Sequence, residues 1–172
     1  MELWDLYNEK REVTGRLHVR GEEGPEGYFH LVVDVWIRNS KGEYLISQRA
    51  ASRPSFPLMW ECVGGSVIAG EDSLTGALRE TKEEVGVDLA LEDGYVVYSN
   101  MRRHFRDMMD VWLFRYDGPV ELEKATTDEV AQVRWMTVEQ IRVLWESGEL
   151  VPTLGYFFEE VAGERCSTKS MI

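Results

Sequence analysis

A chain of 172 residues, 44% hydrophobic and 29% charged, has the length of one domain and the apolar content to pack a core. Its net charge of −12 argues against a general binder of nucleic-acid polymers or acidic membranes, which are held by local positive charge. A small phosphorylated substrate is still admitted, because a divalent cation can bridge acidic side chains to phosphate.

The longest apolar run starts at Leu31, is broken by Asp34 and is too short to cross a bilayer. No signal-peptide pattern opens the chain. Cys62 and Cys166 form neither a metal spacing nor a disulfide framework. A cytoplasmic protein with free thiols is the expectation.

In chain order, residues 3–7 (LWDLY) read as a short strand and 14–20 (TGRLHVR) as its return. The Gly, Pro and Glu loop GEEGPEG follows. An isolated hairpin is marginal in water, so residues 1–20 are counted with the rest, as a single domain over 1–172. Residues 28–38 form a long strand, with Leu31, Val33, Val35 and Ile37 on one face and His30, Val32, Asp34 and Trp36 on the other. Asn39 to Gly42 is a hairpin turn, with EYLISQR as the partner strand. A loop over 50–59 carries two prolines, and Trp60 to Val63 is a short strand entering Gly64-Gly65.

A helix is expected over Ser73–Val85, capped by Asp72 or Ser73 and closed by Gly86. Strands follow near 95–105 and 110–116, with Asp107 and Asp110 at the turn between them. A short strand over Val133–Met136 leads into the capping box Thr137 to Gln140 and a helix to about Ser147. Pro152 opens a last helix through Phe157 and Phe158 to about Ala162, and residues 166–172 are a tail expected to fray. Antiparallel strands interrupted by one central helix and finished by two more predict an α/β sandwich with a mixed sheet.

The chemistry is densest between Gly65 and Val87. On the central helix, Leu74, Ala77, Leu78, Thr81 and Val85 share one face, while Arg79, Glu80, Glu83 and Glu84 share its neighbour. Carboxylates so close repel one another unless a cation sits among them. Glu80 lies three and four residues from Glu83 and Glu84, so their oxygens can converge. Carboxylate oxygens suit Mg²⁺ first and Mn²⁺ next. Gly64, Gly65 and Gly70 let the backbone turn tightly and approach a ligand, and Gly64 is counted with the glutamates as a metal-site residue. Taken alone, the acidic run would be a solvated helix face.

The surrounding residues change that balance. The stretch resembles the Nudix box, Gx5Ex7REUxEExGU with U a bulky apolar residue. Gly65, Glu71, Arg79-Glu80, Glu83-Glu84, Gly86 and Val87 stand at its spacings, and Thr81 takes the first U position. The resemblance implies an α/β/α sandwich that hydrolyses a diphosphate linkage in a nucleoside di- or triphosphate or related compound, using Mg²⁺ or Mn²⁺. It implies that Glu83 and Glu84 bind metal, that Glu80 binds metal or acts as the base, and that Arg79 pairs with Glu71 to hold the loop on the helix. Glu129, ahead of VAQVRWM, matches a late carboxylate that serves as an added ligand or base; a surface loop glutamate is the plain alternative.

Residues outside the box resemble the branch containing isopentenyl-diphosphate isomerases. That branch carries Cys-Gly-His where this chain has Gly64-Gly65-Ser66, so its catalytic cysteine and one metal-binding histidine are missing. Cys62 stands two positions too early, and His30 matches a family histidine in the long strand. A hydrolase on an isomerase-like scaffold is the expectation, with an isomerase and a non-catalytic nucleotide sensor as alternatives. Arg49 and Arg53 can grip phosphate oxygens, as can the cluster Arg102, Arg103, His104 and Arg106. Phe56, Trp60 and Trp36 can stack on a base or pack in the core. The expected partner is a phosphorylated small molecule, and a homodimer is left open.

Overall fold

The computed structural model describes residues 2–164. Strands β1 (Leu3–Tyr7) and β2 (Val13–Val19) form a separate hairpin. Strands β3 (His30–Arg38), β4 (Tyr44–Arg49), β5 (Trp60–Glu61), β6 (Val63–Ser66), β7 (Gly94–Arg102), β8 (Asp107–Arg115) and β9 (Val130–Met136) build one seven-stranded sheet. Helix α1 spans Ser73–Val85 and α2 spans Val138–Glu146. The sheet is mixed: β3 and β8 run parallel from His30 opposite Asp107 to Arg38 opposite Arg115, and its other pairings are antiparallel. Among the described residues no helix is long and apolar enough to cross a membrane.

The long strand β3 is buried on both faces, as the α/β sandwich requires. Val33, Val35 and Ile37 pack with Ala77 and Val85 of α1, while Trp36 packs with Tyr44, Ile141 of α2 and Phe157 on the other side. The 39–42 turn is present, but β3 and β4 pair only at Arg38 and Tyr44. This corrects the expected hairpin. β6 takes the edge of β3 instead, with Val63–Ser66 opposite Val32–Val35, and β4 goes to β9 and β5. Glycine permits the exchange: a Cβ on Gly64 would overlap the carbonyl oxygen of Val33.

Helix α1 has the predicted ends. Asp72 accepts a hydrogen bond from the Thr75 N–H at 2.8 Å, and Gly86 adopts φ 70°, its N–H donating to Lys82 O. Thr81, fully buried, donates its hydroxyl to Ala77 O at 2.8 Å. A polar side chain in the apolar stripe is thereby satisfied.

Two other expectations are corrected. Asp107 and Asp110 lie in strand β8, both buried, and the turn is formed by residues 103–106. The predicted last helix is a 3₁₀ turn at Pro152–Leu154 followed by a π turn at Phe157–Val161. Between them sits Gly155, where a Cβ would lie 2.9 Å from the Trp145 ring. Glycine is a weak helix former, and Trp145 selects it here. The expected tail at 166–172 lies outside the described residues.

The hairpin docks on the body along its length. Tyr7 and Phe29 exchange backbone hydrogen bonds at 2.8 and 3.0 Å, and Ala69 N–H donates to Leu3 O at 2.8 Å. Gly70 N–H donates to Asp5 Oδ2 at 2.7 Å. Trp4 stacks on His30, with ring centroids 4.2 Å apart.

Candidate active site

The acidic side of α1 and the glycines of β6 face one cleft of about 170 Å³, lined also by Glu2, Arg20, Arg53, Thr127 and Glu129. The two glycines set its width. A Cβ on Gly65 would overlap the carboxyl group of Glu80, so Glu80 can hold this position only while residue 65 is bare. Gly64 N–H donates to Glu84 Oε2 at 3.3 Å. The far end of α1 is tied to the Glu129 loop, since Glu83 O accepts from the N–H groups of Thr126 and Thr127 at 2.9 and 3.2 Å.

Arg79 is the cation among the carboxylates. Its Nε donates to both oxygens of Glu71 at 2.9 and 3.2 Å. Nη1 donates to Glu80 at 2.8 Å and Glu83 at 3.1 Å, and Nη2 to Ser66 O at 2.9 Å. Burial opposes its charge, yet the bonds it donates to Glu71 and Glu80, and their negative charges, hold its pKa above the ordinary arginine value. Among the described residues no three His, Cys, Asp or Glu side chains are drawn closely enough together to hold a metal ion. With Glu80 and Glu83 turned to Arg79, that is the expected consequence.

Glu84 is 5% exposed. Burial pushes its carboxyl well up, the charges of Glu61 and Glu80 add to this, and the Gly64 N–H pulls the other way. Burial also raises Glu80, against the pull of Arg79. Glu83 is the most exposed of the three. Glu80 and Glu84 thus sit where burial penalises their charge, which a bound cation would relieve.

The remaining predicted residues fall in several places. Arg53 forms an ion pair with Glu129 in the cleft. Arg49 is buried behind it, with Nη1 on both oxygens of Glu61 at 2.6 and 2.8 Å and Nε on Ser55 O at 2.9 Å. It is not among the residues lining the cleft. Phe56 is 43% exposed on the loop before β5, also away from the cleft. Trp36 and Trp60 are core residues. Cys62 is buried and free, its thiol pushed well up by burial and by the charges of Asp34, Glu61 and Glu84.

The later basic cluster is already engaged. Arg102 grips Asp107 with two bonds of 2.7 Å, Arg103 pairs with Glu9, and Arg106 donates to Gly24 O. Asp110 accepts from Arg11 and from Ser99 Oγ. Glu2 and Arg20 were invisible to sequence reasoning, because nothing in a polar hairpin marks which end folds back onto the helix. Glu61 escaped it too; its only signal was a carboxylate one residue ahead of Cys62 in an apolar strand.

Fold and cleft together define an α/β/α protein whose acidic helix face is closed over a glycine strand. A sequence model of the NUDIX domain matches residues 28–159, and the chain belongs to the Nudix family. It is 42% identical over 162 residues to a protein of Listeria innocua named as an uncharacterised Nudix hydrolase, covering 92% of this chain and 91% of that one. The solved structure of DR0079 from Deinococcus radiodurans matches with a TM-score of 0.70 at 26% identity, over 87% of this chain and 92% of that one. An isopentenyl-diphosphate Delta-isomerase of Shigella flexneri is 28% identical over 143 residues, covering 79% of this chain and 77% of its own. These relatives place the chain among the enzymes of the family, with the hydrolases. Nudix hydrolases in general use divalent metals such as Mg²⁺.

Proposed function

We propose that the protein is a Mg²⁺- or Mn²⁺-dependent pyrophosphohydrolase acting on a nucleotide or another small diphosphate compound. The observation that carries this reading is the single cleft that gathers Glu80, Glu83, Glu84 and Glu129 beside Gly64 and two arginines outside the box. Glu83 and Glu84 would hold the cation, with Glu80 a further ligand or the base. Arg79 holds one oxygen of each, Glu80 Oε1 and Glu83 Oε2, which leaves the second oxygen of each carboxylate to turn to a cation. A bound cation would neutralise charge on the phosphoryl oxygens and lower the pKa of water, so that a carboxylate such as Glu80 or Glu129 could take the proton as the oxygen attacks phosphorus.

The chain's own residues account for the rest. Five carboxylates face three arginines in the cleft, so without a divalent cation the surplus negative charge repels a polyphosphate. Arg53, now paired with Glu129, can turn its guanidinium to a phosphate oxygen. That frees Glu129 to serve as ligand or base. Arg79 and Glu71 fix the loop so that Glu80 keeps its place. The free Cys62 thiol is in keeping with a cytoplasmic setting.

Cys62 favours hydrolysis over isomerisation. Its thiol is enclosed in the core and held protonated, unlike a reactive thiolate. The test is a panel of nucleoside di- and triphosphates, nucleotide sugars, dinucleotides and prenyl diphosphates, incubated with Mg²⁺ or Mn²⁺. Cleavage of a diphosphate linkage is the expected result. Interconversion of isopentenyl and dimethylallyl diphosphates without cleavage would overturn it, and nucleotide binding without any product would favour a sensor.

A further inference from the structure

The family match begins at residue 28, yet two cleft residues precede it. Glu2 and Arg20 flank the two strands of the hairpin and reach the same cleft as Glu80 and Glu84. Their position is built: Ala69 and Gly70, in the loop that leads to α1, donate to Leu3 O and Asp5 Oδ2. Glu2 is held from two sides, by Trp4 Nε1 at 2.7 Å and by Arg20 Nη1 at 2.8 Å. Arg20 is different. Its side chain is 52% exposed, and among the described residues Glu2 is the only partner of its guanidinium, which has five N–H donors. The charges of Glu2, Glu129 and Glu80 all favour its cationic form.

We propose that Arg20 is a substrate-binding residue, which donates to a phosphate oxygen of a diphosphate in the cleft, and that Glu2 is the counter-ion which holds it when no phosphate is present. The proposal rests on the reading of the cleft as a diphosphate site. It extends that site beyond the matched domain: Arg53 supplies one cation from the loop after β4, and the hairpin supplies a second. A hairpin that served only as a brace would need no guanidinium facing the cleft, since its docking bonds are made by Leu3, Asp5 and Tyr7.

The probe is methylenediphosphonate, a diphosphate whose bridge cannot be hydrolysed, titrated calorimetrically into the full chain with Mg²⁺. Arg20→Ala is expected to weaken binding about five- to tenfold, as for a lost charge-assisted hydrogen bond at a half-exposed position. Arg20→Lys should recover part of it. Glu2→Gln should tighten binding about two- to threefold, because it frees the arginine without removing it. This opposite sign separates recognition from support: if the pair only closes the hairpin, both variants weaken binding together. Equal affinity for the parent and Arg20→Ala, or weakening by Glu2→Gln, overturns the proposal while the proposed function stands. Absence of any binding by the parent chain overturns the proposal, while the proposed function is decided by the cleavage panel above. Should Arg20→Ala fail to fold, Glu2→Gln and Arg20→Lys still decide the matter.

Discussion

Glu84 shows what the proposed metal site would cost a residue that serves it. A carboxylate almost closed to solvent, with Glu61 and Glu80 nearby and one 3.3 Å hydrogen bond in return, is poorly stabilised in charged form. Its amide, of nearly the same shape, carries no charge to bury. Glu84→Gln should therefore melt at the same temperature as the parent or a few degrees higher, while its Mg²⁺-dependent turnover falls by about a hundredfold or more. Thermal unfolding and single-turnover rates on one preparation would check both halves; full activity would remove Glu84 from the site, and a lower melting temperature would refute the cost of its charge. At this scale the sequence is uneven as a guide. The helical spacing of Glu80, Glu83 and Glu84 alone puts them on one face, because a helix is a local object. Arg49 reads as an open cation in sequence and is buried against Glu61, since burial depends on what the distant chain brings over it.

Strand β6 acts as an element through two adjacent glycines that forbid a side chain for different reasons. At Gly65 the obstacle is the flexible end of Glu80; at Gly64 it is the backbone of Val33. Gly65→Ala should fold with a loss of stability under about 1 kcal/mol, since Glu80 can swing aside, but lose most of its activity. Gly64→Ala must separate β6 from β3 and should cost about 2–3 kcal/mol, read from urea midpoints. Equal destabilisation by the two would refute the distinction. Elements defined by local signals were legible: the caps of α1, the capping box of α2 and the 39–42 turn. The pairing of β3 with β6 and its parallel register with β8 were not, because the partners lie tens of residues apart and no local propensity chooses between them. The last helix failed for a similar reason, as Gly155 answers to Trp145 across the fold.

On the scale of the whole molecule, the hairpin is joined to the body through a small aromatic cavity lined by Trp4, His18, Tyr28, His30, Phe105 and Arg106. Burial lowers the pKa of His30; Asp107 and the Arg106 backbone oppose this, and His18 and Arg102 add to it. The neutral ring is the form that suits the native state. Its contribution is fully present above the unfolded value near 6.5, and is lost as pH falls through the lower folded value. Glu80 and Glu84, whose carboxyls are raised, act with the opposite sign: the stability they lend is greatest at low pH and is lost as pH rises through their folded values. The bare pH slope is therefore mixed, and the readout is a difference. His30→Phe should flatten the decline in melting temperature between about pH 7 and 5 relative to the parent. An unchanged decline would remove His30 from the docking of the hairpin.

The bare position at Gly64 also bears on ancestry. The isomerases that this chain resembles carry a cysteine there, and here a Cβ has no room beside β3. A single change to cysteine would not deliver a thiol to the cleft; it would first push two strands apart. Exchange of one chemistry for the other would then call for a compensating shift in the sheet as well as the new thiol.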